Sequence, residues 1–339
     1  MPLVASTAST PCALCGSDDI EELSRRARDG RRLRTTICRR CGLVWANPPP
    51  AQNAVRAYYS DEYRREYKGT PARTLPQIYH AGLGALARYR AMAHLVAAGD
   101  AILDVGCGGG ELVYLLRRLG FDATGIEPDR SYSEAARSVL GLPVQTGFVQ
   151  DLDFSEKAFR AILMYHVLEH VDSPMAVLAR IKRWLGDDGV LIVEVPNIEA
   201  RPEAPMTRFH VAHLFYYSPA TLEGMGRASG FEVDEVRLSE DGGTIIGIFR
   251  PSAGEARPAV SAETYRRTKG MLQQHTNLRY YLSRTPYVRM AGRLAAYCRK
   301  QIVARRRATG KDTLDTLFRD VQPHSTSSRS RYRPASAHG

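Results

Sequence analysis

The segment Ala101-Ile-Leu-Asp-Val105, followed at once by Gly106-Cys-Gly-Gly-Gly110, restricts this chain more than any other. Its first five residues are apolar except for Asp104, the pattern of a strand covered on both faces. A helical period sets in at Glu111, with Leu112, Leu115, Leu116 and Leu119 on one face and Gly120 as the stop. Strand, glycine loop and helix in that order predict the opening of a nucleotide-binding βαβ unit. The centre of the chain is therefore neither all-helical nor all-β, and its ligand belongs at the C-terminal end of the strand.

The loop also narrows the choice of ligand. A dinucleotide fingerprint starting at Gly106 requires a third glycine at position 111, where this chain has Glu111. The Asp104 carboxylate would repel a pyrophosphate but suits an ammonium or a sulfonium. The second strand, Asp122–Ile126, ends in Glu127, an acid that can accept hydrogen bonds from both hydroxyls of a ribose. With these residues the chain resembles the class I S-adenosylmethionine-dependent methyltransferases. The resemblance covers about residues 99–250. It continues through Ala161-Ile-Leu-Met-Tyr-His166-Val-Leu-Glu169-His170, a helix at Ser173–Leu185, and Gly189-Val-Leu-Ile-Val-Glu194-Val-Pro196-Asn197. It implies an α/β, Rossmann-like sheet of seven strands in the order 3-2-1-4-5-7-6, with an antiparallel last strand. Ser218–Phe231 then supplies the final helix, with Glu232–Leu238 and Thr244–Phe249 as the closing hairpin. The resemblance further implies S-adenosylmethionine as cofactor. Gly106, Gly108 and Gly110 would admit its methionine portion, Asp104 would bond its amino group, Glu127 its ribose and Phe148 its adenine.

Cys12-Ala-Leu-Cys15 and Cys38-Arg-Arg-Cys41 are two Cys-x-x-Cys knuckles, each followed by a glycine. Four thiolates so spaced can surround one tetrahedral Zn2+, and they leave no open position for catalysis, so the expected metal is structural. Two disulfides are the competing reading, which a reducing cytosol disfavours. A zinc ribbon over residues 10–46 is too short to build a core, so the metal is expected to fold it. A connector and helical lid over residues 47–98 follows. It contains Tyr58, Tyr59, Tyr63 and Tyr67, a cluster for packing or for lining a site.

Methyl transfer from a sulfonium needs alignment, exclusion of water and removal of a proton. His166 and His170 follow the fourth strand of the sheet, whose end faces the crevice, and His210 and His213 lie beyond the fifth. His213, just before a Leu-Phe-Tyr-Tyr run, is the first candidate for general base and His166 the second; His170 reads as structural. His166-Val-Leu-Glu169-His170 resembles the acidic-x-x-Glu-His element of the ubiquinone-biosynthesis O-methyltransferases, which is associated there with a divalent metal. His166 stands where the first acid would be, which weakens the case for magnesium. The whole arrangement of modules resembles bacterial methyltransferases of glycan and secondary-metabolite pathways. That implies O-methylation of a small-molecule or glycan acceptor, with C-methylation of a nucleotide-sugar second.

Charge is unevenly placed. The chain nets +11, yet Glu255–Gly339 alone carries 18 Lys/Arg against 5 Asp/Glu, so residues 1–254 net −2. A near-neutral body argues against a catalytic domain wrapped around nucleic acid. An RNA-modifying enzyme and a non-catalytic cofactor-binding scaffold are the alternative readings. Residues 255–320 read as a basic helical extension. Within it Thr285-Pro286 opens a helix with Tyr287, Ala291, Leu294, Ala295, Cys298 and Ile302 on one stripe, and Arg305-Arg306-Arg307 follows. Such a helix can lie on an anionic membrane surface or pack on the core. Residues 321–339 are expected to be disordered. No apolar run approaches the ~20 residues of a membrane span and no secretory signal is visible. A cytoplasmic enzyme, touching at most the inner membrane face, is expected.

Overall fold

The computed structural model describes residues 9–50, 56, 73–254, 261–304 and 309–323. Tyr58, Tyr59, Tyr63, Tyr67, the Arg305–Arg307 run, the side chains of Cys298 and Ile302, and residues 324–339 lie outside the described residues. At the N-terminal end, β1 (Ile20–Arg26) and β2 (Arg32–Cys38) form a hairpin, and β3 (Val44–Ala46) pairs antiparallel with β2. After α1 (Leu75–Met92) come β4 (Ala101–Val105), α2 (Glu111–Arg118), β5 (Asp122–Glu127), α3 (Arg130–Leu140), β6 (Val144–Thr146), β7 (Phe159–Tyr165), α4 (Pro174–Trp184) and β8 (Leu185–Pro196). Then follow β9 (Phe215–Tyr216), α5 (Pro219–Ala228), β10 (Phe231–Leu238) and β11 (Thr244–Pro251). The extension comprises α6 (Ala262–Gln274), α7 (Asn277–Leu282), α8 (Thr285–Ala304) and α9 (Gly310–Leu317).

The large sheet runs β6-β5-β4-β7-β8-β11-β10. Its first five strands pair in parallel, and β11 lies antiparallel between β8 and β10. Counted along the chain within this sheet, the order is 3-2-1-4-5-7-6, as expected from the sequence. Leu103, Ile162, Leu191 and Val193 at its centre are fully buried. Each such side chain contributes about 1.5–3 kcal/mol over leaving it exposed, which penalises any slip of register. Asp104 is the polar exception in β4, set between Gly125 of β5 and Leu163 of β7.

The cysteine module is built into this body. β9 adds to β3, with Val44 opposite Tyr216 and Trp45 opposite Phe215, and completes a four-stranded sheet β1-β2-β3-β9. Cys12, Leu14, Leu43 and Trp45 belong to the same buried cluster as Leu103, Met164 and Trp184. A ribbon expected to depend on metal for its fold thus also draws on the core of the large sheet. From the other side α6 straps over it. Tyr265 Oη donates to Glu21 at 2.6 Å, and Lys269 pairs with Glu21 at 2.8 Å. At position 42 a Cβ would come within 2.9 Å of the Thr264 backbone, so this close approach requires glycine.

α9 is tied to α2 through Asp315, which accepts from Tyr114 Oη at 2.5 Å and from Arg118 at 2.8 Å. Of the stripe expected on α8, Tyr287 and Leu294 are more than half exposed. Among the described residues no helix is long and apolar enough to cross a membrane.

Candidate active site

A cavity of about 1030 Å3 opens at the C-terminal ends of β4, β5, β7 and β8, where a doubly wound sheet reverses its strand order. Gly106, Gly108, Glu127 and Phe148 line it, as do His166, Glu169, His170, His210 and His213. Two residues picked out in the sequence do not reach its wall. Asp104 lies behind the loop. Gly110 faces away, where a Cβ would meet Leu142 at 2.6 Å, so glycine serves helix packing there rather than ligand approach.

The glycine-loop side is ordered by carboxylates. Glu127 accepts the Gly108 amide at 2.8 Å through Oε2 and the Asp129 amide at 3.0 Å through Oε1. A carboxylate can accept more bonds than these two, as holding a ribose diol requires. Asp104 is buried, and no described residue donates a hydrogen bond to it. Burial pushes its pKa up to about 7; Arg88 pulls the other way, and Glu127 and Glu111 add to the rise. A buried carboxylate without a donor is costly, and an ammonium group would relieve it. These residues therefore fit S-adenosylmethionine. Arg73 lies across the loop, paired with Glu111 and placed 5.2 Å from the Tyr132 ring. The guanidinium of Arg56 sits 5.2 Å from the Phe148 ring and is held by Asp151 at 2.8 Å. Burial, reinforced by Asp104 and Glu127, pushes the Cys107 thiol up, as suits a packed, unreactive side chain.

On the opposite side the histidines differ sharply in electrostatic setting. His166 adopts φ +58°, rare for a residue with a Cβ. Its Nδ1 lies 3.3 Å from Glu169 Oε1 and its Nε2 3.2 Å from Glu194 Oε1. Burial opposes charge on this ring, but the two carboxylates outweigh it and push the pKa up to about 9. An imidazolium at neutral pH is a poor proton acceptor, so the setting favours His213 of the two candidate bases. His170 Nδ1–H donates to the Ala212 carbonyl at 2.8 Å, which leaves Nε2 toward Glu169 at 3.6 Å.

His210 is locked by its neighbours. Its backbone N–H donates to Tyr216 Oη, and its Nδ1 accepts from the Ala212 amide at 3.1 Å. Burial, then Arg28 and His170, lowers its pKa to about 4. His213 packs edge-on to His170 at 4.8 Å and tilted against His210 at 5.1 Å. Burial, then the charges of His170 and His210, drives its pKa well below the ordinary value. Its imidazole therefore stays neutral. Glu169, His170 and His213 bring ligand-type atoms within 4.8 Å of one another. Two imidazoles and one carboxylate are not the oxygen-rich set that magnesium takes.

Away from the cavity, the sulfurs of Cys12 and Cys41 lie 3.4 Å apart, those of Cys15 and Cys38 3.6 Å, and all four fall within 4.8 Å of one another. Ligands at ~2.3 Å from a tetrahedral ion stand about 3.8 Å apart, whereas a disulfide needs about 2.05 Å. The cluster therefore has the dimensions of a zinc site. Crowding raises the Cys12 thiol, chiefly through Cys38, and raises that of Cys41 through Cys12, while Cys38 is held down, as for sulfurs sharing negative charge.

Sequence reasoning passed over Glu194 and Arg208. Glu194 lies two residues before the end of β8, opposite Tyr165 and so beside the strand end that leads to His166; the strand-end rule that found Glu127 points to this region. Arg208 carried no such signal.

Residues 78–236 match the family described as a methyltransferase domain. The O-methyltransferase resE of Aspergillus sclerotiorum is 33% identical over 154 residues, 41% of this chain and 57% of that protein. The ubiquinone biosynthesis O-methyltransferase of Azorhizobium caulinodans is 27% identical over 178 residues, 48% of this chain and 67% of its own length. The C-methyltransferase NovU of Streptomyces niveus is 26% identical over 171 residues, 48% of this chain and 41% of that protein. The chain thus spans about half the length of the curated relatives it matches. Sheet order, glycine loop and family match agree that this chain contains a class I S-adenosylmethionine-dependent methyltransferase domain.

Proposed function

We propose that this protein methylates a hydroxyl of a small-molecule or glycan acceptor, with His213 taking the proton. The observation that carries this reading is His213 itself. Its neutral imidazole lines the cavity, makes no side-chain hydrogen bond among the described residues, and lies within 4.8 Å of the Glu169 carboxylate. When bound, S-adenosylmethionine supplies a methyl group made electrophilic by its sulfonium. Asp104, behind the loop, would act on the amino group through its charge or a bridging water, and Glu127 would hold the ribose. A hydroxyl aligned with the methyl must lose its proton, which His213 can accept. Glu169, buried yet kept ionised by His170 and His166, then stabilises the imidazolium formed.

Similarity to two O-methyltransferases supports a hydroxyl acceptor. Similarity to a C-methyltransferase supports a second reading, in which the same base removes a proton from carbon. We assign the four cysteines to a structural Zn2+ that braces β3 and, through it, β9. The exposed Tyr287 and Leu294 of α8 support peripheral contact with an anionic membrane surface.

The test is His213→Ala. Turnover with a methylated acceptor should fall by at least about a hundredfold, with S-adenosylhomocysteine affinity kept within twofold. Turnover at the unsubstituted rate would remove His213 from the mechanism.

A further inference from the structure

We propose that Arg208 anchors a phosphoryl group carried by the methyl acceptor, a refinement that rests on reading this cavity as the acceptor site. Arg208 lies between β8 and β9, two residues before His210, and lines the same cavity. Among the described residues no carboxylate comes within 4.0 Å of its guanidinium. Its side-chain partner is the Nδ1 of His275, at 3.0 Å. An arginine only donates, so His275 Nδ1 must be the acceptor, and the imidazole proton resides on Nε2. One of five guanidinium N–H groups is thereby used, which fixes the fork and leaves the others for a ligand.

The C-terminal extension holds this arrangement. His275 caps α6, its ring packs edge-on to Tyr280 at 5.9 Å, and Tyr280 Oη donates to the Pro202 carbonyl at 3.2 Å. Burial without a counter-charge lowers the Arg208 pKa to about 10, a cost that an anion would remove. Acids nearby are engaged elsewhere. Glu203 and Asp241 both face Arg289, at 3.6 and 3.5 Å, and Glu199 accepts from Thr268 at 2.8 Å.

Other arginines border Arg208 or line the same cavity. Arg201 acts on His275 together with Arg208. Arg28, from the β1–β2 turn, also lines the cavity, and its backbone N–H donates to the Phe209 carbonyl at 2.7 Å. A multiply charged tetrahedral group matches such a cluster, and a guanidinium fork binds it through parallel hydrogen bonds.

Inorganic pyrophosphate titrated calorimetrically into the full chain saturated with S-adenosylhomocysteine tests this. Saturable binding is expected, weakened about tenfold or more in Arg208→Gln, with S-adenosylhomocysteine affinity unchanged in that variant. Arg208→Lys should recover part of the loss, since it restores charge without the fork. Absent binding, or equal binding by Arg208→Gln, overturns the proposal. So does tighter binding of malonate than of pyrophosphate, which would make the subsite one for carboxylates. Loss of S-adenosylhomocysteine binding in Arg208→Gln alone would move Arg208 to the cofactor side. Its loss in the unsubstituted protein would instead refute the methyltransferase reading beneath.

Discussion

Trp45 of β3 and Phe215 of β9 are paired backbone to backbone, which joins the strand leaving the second cysteine knuckle to the strand leaving His213. The connection runs further. The Ala46 amide donates to the Leu214 carbonyl at 2.9 Å, and the Leu214 amide donates to the Glu169 carbonyl at 2.8 Å. A ladder of main-chain bonds thus links the cysteine module to both halves of the histidine cluster. The module's position is therefore a condition on the geometry around His213.

Metal analysis of the purified chain should find one zinc per molecule. Stripping it, or Cys41→Ser, should lower Tm by about 10 °C or more, since such an ion contributes several kcal/mol to folding. Methyl transfer should suffer more than S-adenosylhomocysteine binding, because β9 carries the histidine segment while Glu127 belongs to β5. Metal-free protein with unaltered Tm and turnover would contradict this assignment.

Asp104 should make cofactor binding depend on pH. Its pKa is pushed up to about 7, so part of the population must lose a proton before it can pair with an ammonium. S-adenosylhomocysteine should bind about tenfold more weakly at pH 6 than at pH 8. The same raised pKa means that the fold bears a cost as pH rises from the unfolded value through 7. Asp104→Asn should therefore raise the Tm of the unliganded protein at pH 8 while flattening the pH dependence of binding. A steep dependence surviving in Asp104→Asn would assign it to another group.

His166 predicts a slope of the same sign in stability, in a higher pH window. Its folded pKa, about 9, lies above the unfolded value of 6.5, so its contribution is complete below pH 6.5 and is lost as pH rises through 9. The side chain is 40% exposed, and solvent screening cuts the effect to about 1 kcal/mol. His166→Asn, which tolerates the left-handed backbone, should be less stable than the unsubstituted protein at pH 6 and nearly equal to it at pH 10. Denaturant midpoints at the two pH values decide it; a constant difference rules out the titration.

The large sheet was legible because its strands, loops and helices alternate with clear boundaries, from Val105 and Gly106 to Gly230. The rule that ligand groups sit at parallel strand ends found Glu127 and His166. What it could not give was the charge on His166, which depends on Glu169 and Glu194 converging from separate segments. β9 was invisible for a related reason. Two residues, Phe215 and Tyr216, have no period, and only the partner strand β3 makes them a strand. Gly110 was rightly seen as a required glycine but for another reason, since Leu142, on a separate turn of chain, is what excludes a Cβ. Arg208 and His275 stand 67 positions apart, and no local pattern announces their bond.

The most direct test is calorimetric titration of the full chain with S-adenosylhomocysteine, with NADH as the control. Binding of S-adenosylhomocysteine in the micromolar range, with no heat from NADH, is the predicted result. Binding of NADH, or of neither ligand, would contradict the reading of Asp104, the glycine loop and Glu127 on which the rest depends.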